Sequence, residues 1–236
     1  MKKYILPFIL IIISLLCFSC EESIIYTSHL YNFQEDTLEE CQTVQCPDIT
    51  VEIEKIGNPN ILNKPVQQWT KTILFDFLDV NNNKEDSIED ALMVYINNSQ
   101  TSYPETSLLS EEHELVIETS ISFTSDHLLS MEFYGYQFSG GAHGFDTRTY
   151  GNFNPKTGNL YTTDEMLDKS FFAFAKAQLE QQFPNNHFTA ESLNYTKIGF
   201  TENGLTTTYD DGIAIFSEEI KEITVSWADL EPYFKL

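Results

Sequence analysis

His143 is the residue whose type and setting most invite chemistry. It stands in Gly140-Gly141-Ala142-His143-Gly144, and a histidine on a glycine-rich loop can act as a general base or a metal ligand near neutral pH. Catalysis would also need an orienting carboxylate and a nucleophile or metal, and no spacing in the chain supplies them. The favoured expectation is a ring that hydrogen-bonds backbone and locks the turn. Asp146 and Arg148 follow at alternate positions of the next strand, where they could ion-pair locally. With Gly140, Gly141 and His143 they make up the candidate ligand-binding set. A second constellation is Asp79-x-Asn81-x-Asn83 with Asp90 at the twelfth position, which has part of the spacing of a calcium loop. Lys84 takes the place of the required glycine, Asp86 replaces an apolar residue, and the last ligand is Asp instead of Glu. A lysine inside a cation cage argues against metal, so the segment is better explained as an Asn/Asp-rich connector between helices.

Other chemistry finds no pattern to stand on. His29, His113, His127 and His187 lack the H-x-x-x-H or H-E-x-x-H spacing of zinc hydrolases. There is no Gly-x-Ser-x-Gly elbow, no phosphate-binding loop and no dinucleotide fingerprint, so no cofactor is expected. A catalytic carboxylate pair cannot be singled out among 36 Asp and Glu. Phe133, Tyr134, Tyr136 and Phe138 could stack on sugar rings, although aromatics at period two more often belong to one core face.

Charge narrows the partners. The net charge is −23, which excludes nucleic acid, because phosphate contacts need an excess of Lys and Arg. Basic proteins or peptides are the attractive partners, though acidity also serves solubility alone. At the N-terminus, Lys2 and Lys3 precede an apolar run from Ile5 to Leu16, broken only by Pro7 and Ser14. That is the plan of a secretory signal peptide over residues 1–19. Ser19-Cys20 resembles a bacterial lipobox, in which the cysteine becomes the lipidated first residue. Cys17 and Phe18 depart from the usual pattern. The resemblance implies a membrane reached through a lipid on Cys20, and a cell-envelope location. Removing residues 1–19 takes away two lysines and no acid, moving the charge from −23 to −25. Cys41 and Cys46 remain, and a disulfide closing their short loop is expected in an oxidising compartment. The alternative, a metal half-site, has no second cysteine pair to complete it.

These residues need elements to position them. Residues 20–47 read as anchor and acidic spacer, with folding beginning near Pro47. Thr50 to Ile56 alternates as a strand with Ile49, Val51 and Ile53 inward. Asn63 caps a helix with Pro65 in its first turn and Val66, Trp69, Ile73, Leu74 and Phe77 on its apolar face. A second helix runs from Ser87 to Asn97 with Ile88, Leu92, Tyr95 and Ile96 inward. Glu114–Phe123 and Leu128–Phe138 form a hairpin about Thr124–His127, and Asp146–Phe153 a third strand. Thr163 caps a short helix and Ser170–Phe183 forms a longer one. Thr196–Phe200 and Leu205–Tyr209 make a hairpin at Asn203-Gly204, followed by a strand over Glu222–Val225 and a terminal helix over Trp227–Tyr233. Blocks of helices and hairpins predict an α+β fold of antiparallel sheets with packed helices, in two closely associated subdomains, 48–112 and 113–236.

Tyr134 to Gly144, with Asn154-Pro155-Lys156-Thr157-Gly158-Asn159-Leu160 and Asp164-Glu165-Met166-Leu167, resembles the extracellular domain of RsiV-type anti-sigma factors. The same domain stands beside the catalytic domain of some peptidoglycan deacetylases. Phe200 to Tyr233 is also similar, and Val51 to Val80 looks like the partner domain that precedes it. The resemblance implies an envelope-facing module that binds lysozyme, a small basic protein, without the receptors' signalling parts or the deacetylases' catalytic domain. The expected function is therefore non-enzymatic binding of a lysozyme-like basic protein. The alternatives are cell-wall glycan binding, or a peptidoglycan-directed hydrolase using His143.

Overall fold

The computed structural model describes residues 24–32, 47–58, 60–80, 87–101, 113–139, 144–184, 196–209 and 221–236. Among these, β1 (Ile25–Asn32), β2 (Asp48–Asn58), β3 (Glu114–Thr124), β4 (Leu129–Phe138) and β5 (Phe145–Phe153) form one sheet in that order. β6 (Thr196–Thr201), β7 (Gly204–Tyr209) and β8 (Lys221–Ser226) form a second, antiparallel sheet. Five helices accompany them: α1 (Asn60–Phe77), α2 (Ile88–Thr101), α3 (Thr163–Met166), α4 (Ser170–Gln182) and α5 (Trp227–Leu230). The fold is α+β, with one departure from antiparallel pairing. β2 runs parallel to β3, from Asp48 opposite Glu114 to Glu52 opposite Glu118, and α1 and α2 lie in the crossover between them. The division at residues 112 and 113 falls within this crossover, so the first sheet draws strands from both sides of it.

Alternation explains the first sheet. Ile49, Val51 and Ile53 on β2, Leu115 and Ile117 on β3, and Phe133 on β4 are buried together beneath Leu74 and Phe75 of α1 and Leu92, Tyr95 and Ile96 of α2. Each large apolar side chain buried this way contributes roughly 1.5–3 kcal/mol. Trp69, Ile73 and Phe77, expected on the apolar face of α1, pack against this core partly buried. The β3–β4 hairpin closes at Ser125, whose N–H donates to the Leu128 carbonyl (2.8 Å).

Three expectations shift. Residues 25–32 are not spacer but the edge strand β1, antiparallel to β2. Tyr31 is its one buried side chain among those described, so the segment carries no sustained alternation to reveal it. The helix expected to start at Asn63 starts at Asn60, which places Pro65 inside α1. Proline has no N–H to give the Ile61 carbonyl, and the turn after β5 packs against that point. Gly158 there has φ of +74°, and a β-carbon on it would sit 2.4 Å from the Ile61 oxygen. The cap of α3 is Thr162, one residue earlier than expected, and its N–H and hydroxyl both donate to Glu165 Oε2 (2.8 and 2.9 Å).

A second core joins Phe171, Ala175 and Leu179 of α4 to Ile198, Phe200, Leu205, Ile223 and Val225 on one face of the second sheet. The other face lies on the first sheet's outer side. Asn152 Nδ2 donates to the Ile198 carbonyl (2.8 Å), and the Phe200 N–H donates to Ser130 Oγ (3.1 Å). Both bonds are buried, so they fix the register in which the two sheets meet.

Candidate functional site

The second sheet covers part of the first sheet's outer face. On the remainder, residues of opposite parity to the core ones gather: Glu52 and Glu54 from β2, Glu118 and Ser120 from β3, and Glu132 and Tyr134 from β4. With Thr119 they line a recess of about 250 Å³. Register brings them together, since Glu118 lies opposite Glu52 and Tyr134, and Ser120 opposite Glu132.

Glu54 sits where the β2–β3 ladder ends. Its N–H donates to Thr119 Oγ1 (2.9 Å), and its Oε2 accepts the Ile121 N–H (2.6 Å), replacing the ladder bonds the two strands no longer make. Burial pushes this carboxyl above the usual range, the Ile121 bond opposes that, and Glu52 adds to the rise. Glu52 itself accepts a short hydrogen bond from Ser28 Oγ on β1.

Glu132 is likewise raised by burial, opposed by Arg148 and reinforced by Glu222 and Glu118. Arg148 on β5 places Nε 3.1 Å from Glu132 Oε1 and Nη1 3.3 Å from Glu222 Oε2 on β8. Its guanidinium also lies 5.6 Å from the centre of the Tyr134 ring. Tyr150 is opposite Glu132 and is held well above the usual phenol range, by burial first and then by Glu132 and Glu222. Tyr134 is raised by burial and by Asp146. Chemically, the recess offers carboxylates, hydroxyls and a phenol, and its nearest guanidinium is shared between two glutamates. That set suits a cation. Among the described residues no three His, Cys, Asp or Glu come together as a metal-holding group.

Of the residues singled out from sequence, Asp146 and Arg148 fall on β5, on this outer face. Arg148, which could have paired locally with Asp146, has its ion pairs with Glu132 and Glu222, reached across strands and between sheets. Cys20, Cys41, Cys46, Gly140, Gly141 and His143 lie outside the described residues, as do the signal segment 1–19, Asn81 and Asn83. In the calcium-like loop, Asp90 is engaged at the start of α2. Its carboxylate accepts the N–H (3.0 Å) and hydroxyl (2.9 Å) of Ser87, and those bonds lower its pKa. The recess glutamates had no sequence signal of their own. They stand at outward positions of three strands separated by α1, α2 and a hairpin, and only the register unites them.

Residues 43–146 match the family described as Deacetylase PdaC. The fold is similar to the crystal structure of a member of the DUF3298 family from Bacteroides fragilis, with a TM-score of 0.62 and 13% identity over 90% of this chain and 94% of that one. It is also similar to a DUF3298 family protein from Pseudomonas aeruginosa, with a TM-score of 0.57 and 17% identity over 91% and 94%. At these identities the likeness is one of fold. No curated protein matches the chain.

Proposed function

We propose that this chain is a lipid-anchored, non-enzymatic binding module of the bacterial cell envelope that takes a cationic protein, such as lysozyme, on its acidic recess. The observation that carries this is the recess itself, where Glu52, Glu54, Glu118 and Glu132 share one cavity on a sheet face. A net charge of −23 draws a basic partner toward it. The resemblance to RsiV-type extracellular domains supports the choice of lysozyme, and Ser19-Cys20 supports the anchor. The match to a deacetylase family over residues 43–146 supports a cell-wall context; the activity in that name is left with that family. Glycan stacking on Tyr134 is less favoured, since Arg148 already lies over its ring. A hydrolase turning on His143 draws nothing from the recess.

Calorimetric titration with lysozyme at low and physiological salt tests this. Saturable binding that persists at physiological salt, where exposed charges are screened beyond about 8 Å, and that weakens in the double variant Glu52→Gln with Glu118→Gln supports it. Binding seen only at low salt is unspecific attraction and overturns it, as does no binding at either.

A further inference from the structure

The first strand among the described residues, β1, starts at Ile25, five positions after Cys20. A five-residue link reaches at most about 18 Å when fully extended. A lipid on Cys20 would therefore hold β1 at the membrane surface, with no long spacer between. β1 is also the edge of its sheet, with β2 as its single strand partner among the described residues. It exposes Ile25 (55%), Tyr26 (52%) and Leu30 (58%), three of the seven large apolar side chains left exposed among the described residues. Such a concentration on one edge strand is what proteins ordinarily avoid unless something covers it.

We propose that this edge docks on a zwitterionic lipid surface. Ile25 and Leu30 enter the boundary between headgroups and acyl chains, and Tyr26 sits with its ring in the apolar layer and its hydroxyl at headgroup level. Charge sets the lipid class: Leu30 lies opposite Glu52, with Glu54 opposite Ser28, so an anionic bilayer would be repelled. Leu30 shares the sheet's outer face with Glu52, so docking brings the β2 side of the recess toward the bilayer and leaves Glu118 and Glu132, on β3 and β4, farther from it. This inference rests on the anchor in the reading above and not on the identity of the ligand.

The test uses the full chain in phosphatidylcholine vesicles, with the lipid on Cys20 checked by intact mass. Amide hydrogen exchange over residues 25–32 is compared with that of the triple variant Ile25→Ser, Tyr26→Ser, Leu30→Ser in the same vesicles. Docking predicts exchange several-fold slower in the parent chain, with α1 amides alike in both as evidence of an intact fold. Equal exchange over β1 in a lipidated chain overturns the docking alone. Protection that grows with protein density per vesicle assigns the edge to a second copy and overturns it too. An unlipidated chain removes the tether and overturns docking and anchor together.

Discussion

Arg148 on β5 lies 3.3 Å from Glu222 on β8 while its Nε lies 3.1 Å from Glu132 on β4, so a single guanidinium ties the two sheets together. Glu132 is half-buried, and its neighbours Glu118 and Glu222 are themselves acidic. Without Arg148 that carboxylate would lose its counter-charge in a poorly hydrated place, which costs more than losing a surface pair and less than stranding a fully buried ion. Arg148→Met is expected to lower stability by about 1–2 kcal/mol in urea denaturation. Adding Glu132→Gln should restore part of the loss. If the two losses simply add, the pair is not coupled and the bridge is incidental.

Glu54 should make stability fall as pH rises. Its folded pKa is raised above the ordinary 4.5, mainly by burial, so the native state binds its proton more tightly than the unfolded chain. The stability this gives is fully present below 4.5 and is lost as pH climbs through the raised folded value. Glu132 acts in the same direction. Asp90, Glu165 and Asp168 act oppositely, because hydrogen bonds from Ser87, Thr162 and Ser170 lower their pKa values. Their contribution is present above the ordinary values of 3.8 and 4.5 and is lost as pH falls through the lowered ones. Glu54→Gln keeps an acceptor for the Ile121 N–H but cannot ionise. Urea midpoints at about pH 5 and about pH 7 should differ less in this variant than in the parent. An equal change at both pH values would mean that ionisation of Glu54 is not the cause.

Ser87 caps α2 by accepting the Asp90 N–H (3.1 Å) while Asp90 accepts back from Ser87. Ser87→Ala is expected to cost about 1 kcal/mol, the usual value of an N-cap hydroxyl. Since Asp90 is occupied by the cap, millimolar calcium should leave the melting temperature of the parent unchanged. A calcium-dependent rise that Ser87→Ala alters would return the loop to a metal role.

What could be read in the chain divides along physical lines. The β3–β4 hairpin, the inward residues of β2 and the apolar face of α2 were legible because burial on one side imposes a period that local sequence must carry. β1 was not, because an edge strand with little buried surface is under no such demand. The start of α1 carries no local mark, because Pro65 suits a first turn as well as its actual place inside the helix. Its place deeper in the helix depends on a turn from β5 closing over the Ile61 carbonyl. The recess was hidden more thoroughly. Glu52, Glu118 and Glu132 are ordinary outward glutamates until strand order and register set them side by side, and Arg148 finds Glu222 74 positions away instead of nearby Asp146.

Gly158 should be among the least replaceable positions in the β5–α3 turn. Its φ of +74° disfavours any side chain, and a β-carbon would lie 2.4 Å from the Ile61 oxygen and 3.2 Å from Pro65 Cγ. The obstacle is helix backbone on one side and a proline ring on the other, neither of which can swing away. The turn is also held by the Gly158 N–H donating to the Asn154 carbonyl (2.8 Å), and the Asn154 side chain accepts from the Lys156 (2.9 Å) and Thr157 (3.2 Å) N–H groups. Gly158→Ala therefore forces either a strained turn or a displaced α1, at an expected cost of about 2–3 kcal/mol from backbone strain and the close contact together. Thermal denaturation measures the loss. Hydrogen exchange on the first two turns of α1 locates it, with faster exchange there than in α4. Stability equal to the parent would mean that the turn does not bear on α1 as the contact with Ile61 requires.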